Sequence, residues 1–181
     1  WTYYRQNKWD DARLWGNRAW GLLTQLINTD TLETLDTGKD DDGYFEYSWL
    51  FTVIHGLRAH IEMQNGNYLQ AETLFQKALS VQYRLYLAAA SEDEKVKKAY
   101  QVAIYKTDLG KLKKTSGDFA SAKKYYQEVL QKPWSDNQSR RAEAMLSLAE
   151  IVMKEQTKEY LDLAQAIKLA EDANTIFQNN P

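Results

Sequence analysis

Two histidines, His55 and His60, are the side chains of this 181-residue sequence with the most obvious potential for metal or proton chemistry. Five residues apart on a helix, they sit about 140° apart around its axis, so a single ion is not easily held by both. No His-Glu-x-x-His pattern accompanies them. Cysteine is absent, which removes thiol catalysis, disulfides and cysteine-ligated zinc. Neither glycine-rich phosphate-loop pattern occurs, and the serines have no base constellation around them. Asp40-Asp41-Asp42-Gly43 has the charge of a calcium loop. The EF-hand pattern would also put an acid at Gly38 and a glutamate at Trp49, and neither is there. These residues predict no enzyme, no metal and no cofactor.

Charge and hydropathy narrow the partners. Lysines thicken from Lys95 to Lys124, including Lys106, Lys111, Lys113 and Lys114, but acids interrupt them and the net charge is −2. A nucleic-acid stripe is not expected, and Lys111, Lys113 and Lys114 also suit a helix C-terminus. No run approaches the ~20 apolar residues that span a membrane. At 44% hydrophobic and 27% charged residues, the composition is that of a folded soluble protein. The compartment is left open, a cytoplasmic setting being slightly favoured.

The elements that must position these side chains are read from an internal repeat. Gly117-Asp-Phe119-Ala-Ser-Ala122, continuing to Tyr126, Val129 and Leu130, places apolar residues at helical spacing after a turn glycine. Gly66-Asn-Tyr68-Leu-Gln-Ala71, continuing to Phe75, Ala78 and Leu79, repeats it. A degenerate third copy is Asn7-Lys-Trp9-Asp-Asp-Ala12. The phrase resembles the second helix of a tetratricopeptide repeat, a helix-turn-helix unit of about 34 residues. Leu109-Gly110 stands before Gly117 where the first helix of that family carries Leu-Gly.

The resemblance implies an all-α solenoid of helical hairpins, wound as a right-handed superhelix. Ala71 and Ala122 are 51 positions apart, well beyond a plain repeat, so one hairpin is extended. Similar spacing occurs in kinesin-light-chain-like and some bacterial signalling repeats. The capping box Ser91-Glu-Asp-Glu94 divides the excess between helices at about Tyr68–Ala90 and Glu92–Thr115. A second box, Ser135-Asp-Asn-Gln138, starts a helix at about 136. The copies fall at about 1–27, 48–90, 92–132 and 136–177. Between the first two lies an insertion, 28–47, in which seven acids from Asp30 to Glu46 face one Lys39. A single domain over 1–181 is expected. The sequence has no initiator methionine, its first copy lacks a first helix and its last helix lacks a cover. These features predict a fragment of a longer chain with flanking domains.

The family lines a concave groove with residues of each first helix. Carried over residue by residue, these are Ile104, Thr107, Lys111, Lys114 and Thr115 in the clearest copy. In the 48–64 helix, an extra residue expected in the turn at 64–67 leaves the register open between His55 and Gly56, Ala59 and His60, and Met63 and Gln64. Of these, His60 and Gln64 are the expected groove positions. In the 136–155 helix the groove residues are Glu143, Leu146, Glu150, Met153 and Lys154. Chaperone-binding members clamp a terminal carboxylate with Lys and Asn; Gly56 or His55, and Asp108, stand at those places. The expected function is non-catalytic binding of a protein or peptide in the groove. The alternative is a ligand- or peptide-sensing regulatory segment of a larger signalling protein.

Overall fold

The computed structural model describes residues 9–26, 42–155 and 160–179. Among them every long element is an α-helix and there is no strand. The helices are α1 (Trp9–Leu26), α2 (Asp42–Gln64), α3 (Tyr68–Ala88), α4 (Glu92–Thr115), α5 (Phe119–Val129), α6 (Gln138–Lys154) and α7 (Tyr160–Asn179). A short 3-10 turn, Trp134–Asp136, precedes α6. The chain forms two compact units, Trp1–Lys98 and Ala99–Pro181, with the boundary inside α4.

In the first unit α1, α2 and α3 share a core. Leu23, Phe51, Ile54, Val81 and Leu85 are buried together, with Trp20 packed against them. The His55 ring stacks on Phe51 at 4.0 Å and meets Trp20 edge-on at 4.6 Å. Burial and a contact from Nδ1 to the Phe51 carbonyl, 3.0 Å, make His55 part of that core. Ala12, Leu57 and Ile61 form a second patch between α1 and α2. In the second unit Ala122, Tyr126 and Val129 of α5 pack on Ala144, Leu148 and Ile151 of α6. Ala142, Met145 and Ala173 continue that core to α7. Ala71 and Ala122, the small residues of the repeated phrase, are both fully buried, which is what close helix packing demands of that position.

The two turns repeat bond for bond. Gly66 and Gly117 have φ of 78° and 85°, a left-handed conformation that glycine adopts without a side-chain clash. At the first turn the N–H of Asn67 bonds to the Glu62 carbonyl and that of Gly66 to Met63. At the second, Asp118 bonds to Lys113 and Gly117 to Lys114. Each pair is a Schellman motif, which satisfies carbonyls left over at the end of α2 and α4. The next bonds match as well, Tyr68 to Gly66 and Phe119 to Gly117, then Ala71 to Asn67 and Ala122 to Asp118. The turn at 64–67 therefore carries no extra residue. Counted back from the glycine, Ala59 matches Gly110, His60 matches Lys111, Met63 matches Lys114 and Gln64 matches Thr115. The copies differ at the helix start. The Asp118 carboxylate accepts from the Ser121 backbone N–H at 3.1 Å, and this bond, followed by the Ser121 hydroxyl, holds its carboxyl below the ordinary carboxylate range. Asn67 instead donates to the Glu62 carboxylate at 2.7 Å.

Ser91 caps α4: its hydroxyl accepts from the Glu94 N–H, while the Glu94 carboxylate accepts from the Ala90 N–H. The second expected box is corrected. Ser135 lies in the 3-10 turn, and the cap of α6 is Asn137, whose side-chain oxygen accepts from the Arg140 N–H at 3.1 Å. Tightening of the chain over Trp134–Asp136 moves the start of the α-helix to Gln138. α2 begins at Asp42, ahead of the expected Ser48, so the C-terminal part of the 28–47 insertion is helical. The rest of that insertion, with Asp30, Glu33, Asp36, Lys39, Asp40 and Asp41, lies outside the described residues, as do Tyr3, Tyr4 and Asn7 at the N-terminus.

Candidate functional site

In the first unit, His60 is buried on α2, and its ring meets Phe75 edge-on at 4.9 Å. Met63 is buried as well, while Gln64 is exposed at the helix end.

In the second unit α4 and α6 bring several expected residues together. The Lys114 ammonium reaches the Glu150 carboxylate at 2.6 Å and the Ser147 hydroxyl at 3.3 Å. Ser147 and Glu150 are three apart on α6, so they share a face. Lys111 is exposed and makes no ion pair with the described residues. Thr115 is exposed too, its hydroxyl donating to the Lys111 carbonyl. Met153 is 65% exposed. Thr107 is fully buried, with its hydroxyl closed on the Ala103 carbonyl at 2.8 Å. Ile104 is half-buried, and Lys154 lies exposed at the end of α6. Glu143 is held by Arg140 at 2.6 Å on its own helix.

Beneath this face lies polar chemistry that the sequence reading did not identify. Tyr126 is 1% exposed. Burial pushes its hydroxyl up to about 12; the Ser147 hydrogen bond opposes that, and the carboxylates of Glu143, Glu150 and Asp108 add to it. At physiological pH the group is a neutral phenol. Asp108 and Ser147 are themselves buried. The available signal was Ser147, a lone polar residue in the apolar run Ala144-Met-Leu-Ser-Leu-Ala149. Buried polar groups in such a run are held by partners. A separate link joins α4 to α5: the Lys106 ammonium pairs with Glu128 and lies over the Trp134 ring, 5.5 Å from its centre.

Among the described residues no group of three or more His, Asp or Glu is placed to hold a metal ion. Nor is any described helix long and apolar enough to cross a membrane.

Paired antiparallel helices closing on glycine turns, repeated along the chain, define a helical-repeat protein. The profile of the tetratricopeptide repeat family matches residues 54–84 and 105–131, two segments that each contain one of the twin turns, and so supports a tetratricopeptide repeat protein. No curated protein and no solved structure matches the chain. Tetratricopeptide repeats in general mediate protein–protein interaction and are typically non-catalytic, which supports a scaffold role.

Proposed function

We propose that this chain is a non-catalytic scaffold that takes up a protein or peptide segment on the first-helix face of its repeats. The observation supporting the proposal is the equivalence of the two turns, which gives α2 and α4 the same count back from the turn glycine. On that face in the second unit, Lys111 offers an accessible ammonium, Thr115 a hydroxyl and Met153 a flexible apolar side chain suited to irregular contacts. Lys114 is committed to Glu150 and Ser147, so one cation rather than two is open to a ligand. A segment with one carboxylate, from Asp, Glu or a chain terminus, beside an apolar residue fits this set. Removing an exposed charge of this kind mainly slows association and weakens its salt dependence.

The test is an array of immobilised peptides of varied sequence, probed with the intact chain at low salt. Enrichment of acidic peptides, lost in Lys111→Glu and kept in Lys114→Met, is the expected result. Capture that is indifferent to peptide charge, or unchanged in Lys111→Glu, refutes the assignment of this face.

A further inference from the structure

Asn65-Gly66 is the sole Asn-Gly pair in the sequence, and it sits at the first of the two twin turns. We propose that Asn65 is a site of spontaneous covalent modification, in which its amide closes on the backbone and is lost as ammonia. Three observations converge. Asn65 and the residues after it are exposed through Gln70, and residues Gly66 to Gln70 line an open depression that admits water. Gly66 has no side chain to shield its nitrogen, and it holds a positive φ. The bond engaging that nitrogen, from the Gly66 N–H to the Met63 carbonyl, is at 3.2 Å the longest of the turn's five backbone bonds. It also belongs to a helix end, where local opening is easiest.

Base removes the Gly66 N–H proton, and the nitrogen attacks the Asn65 side-chain carbonyl carbon Cγ. The new N–Cγ bond forms as the Cγ–Nδ2 bond breaks, and Nδ2 leaves as ammonia with a proton from water. The five-membered succinimide then takes up one water. Addition at Cγ gives aspartate; addition at the main-chain carbonyl carbon gives isoaspartate, with the peptide link rerouted through Cγ. No oxidant, metal or second protein is required.

The twin turn supplies the internal control. The residue matching Asn65 is Ser116, ahead of Gly117 in the same hydrogen-bonded motif, and serine has no amide to lose. The products bear on the turn directly. Each adds a carboxylate three residues from Glu62 at the C-terminal end of α2, where negative charge is unfavourable. Isoaspartate also adds a backbone atom to the motif that joins α2 to α3.

The intact chain is held in mildly alkaline buffer at body temperature and sampled over weeks. Each sample is digested with trypsin, and peptide 59–77 is followed by mass and by fragmentation. The expected result is progressive amide-to-acid exchange located at Asn65, with isoaspartate detected and exceeding aspartate. The conversion should be slower than in the urea-unfolded chain, and Asn65→Ser should stay unconverted at this position. The proposal is overturned if the folded chain remains unconverted while the unfolded chain converts, since the turn would then protect the site. It is equally overturned if acid forms first at Asn67 or another asparagine.

Discussion

Gly110→Ala should destabilise the second unit even though alanine is the better helix former. In a helix interior the exchange alone gains ~0.5–1 kcal/mol. The added Cβ, however, would stand 2.7, 2.9 and 3.0 Å from Cε1, Cζ and Cδ1 of Tyr126, where carbon atoms rest at about 3.5–4.0 Å. Tyr126 cannot step aside cheaply, because it is 1% exposed and packed among Ala122, Val129, Ala144 and Leu148. Overpacking of this kind costs ~1–3 kcal/mol, so the net loss should be about 1–2 kcal/mol. Two other glycines calibrate the measurement. A Cβ on Gly16 would meet nothing closer than 3.7 Å, and one on Gly21 nothing within 4 Å, so both alanine variants should stabilise. Urea denaturation followed by circular dichroism compares the midpoints. A cycle with Tyr126→Leu isolates the clash, since the cost of Gly110→Ala should largely disappear once the ring is gone. A Gly110→Ala midpoint that rises alongside those of Gly16→Ala and Gly21→Ala would refute the close approach.

Other expectations follow from the same contacts. Asn137→Ala should lose about 1 kcal/mol as an N-cap, whereas Ser135→Ala, at a half-buried position outside the cap, should cost less; thermal melts separate them. The Lys114–Glu150 pair is only partly buried, with side-chain exposures of 19% and 58%. A Lys114→Met/Glu150→Gln cycle should therefore give a coupling of no more than ~1 kcal/mol that fades with salt. Tyr126 has its hydroxyl raised from 10.0 to about 12 in the folded chain, so the folded state holds that proton more tightly than the unfolded one. Its contribution to stability is present below pH 10 and falls as the pH rises towards about 12. Tyr126→Phe should flatten that part of the pH–stability curve, as read by urea midpoints over this range.

The fold was legible where local chemistry and pattern agreed. Glu92–Thr115 emerged with its bounds because Ser91 and Glu94 form a cap that needs only near neighbours. The glycines at 66 and 117 marked their turns for the same reason. The Asn137 cap was missed because Ser135 and Gln138 match the capping spacing equally well, and only the 3-10 turn over Trp134–Asp136 decides between them. The early start of α2 was obscured by Asp42-Gly43, which reads as a turn until the helix is formed around it. On the candidate face, Lys111 and Lys114 look alike in sequence, three residues apart on one helix. Their difference lies in Glu150, 36 residues away from Lys114, a separation that no periodicity reports. Thr107 was likewise expected in the groove, and its burial depends on neighbours outside its own helix.

The close fit of Gly110 to Tyr126 also bears on how the chain avoids misassembly. Similar hairpins in one chain risk pairing with the wrong partner, a characteristic failure of repeat proteins. Here the matching positions in the other copy hold Ala59 and Phe75, both fully buried. If α2 docked with α5, the Ala59 methyl would stand where a Cβ at position 110 meets the Tyr126 ring at 2.7 Å. That wrong pairing is disfavoured by overlap, so the glycine opposite Tyr126 helps to keep α5 with α4 rather than with α2.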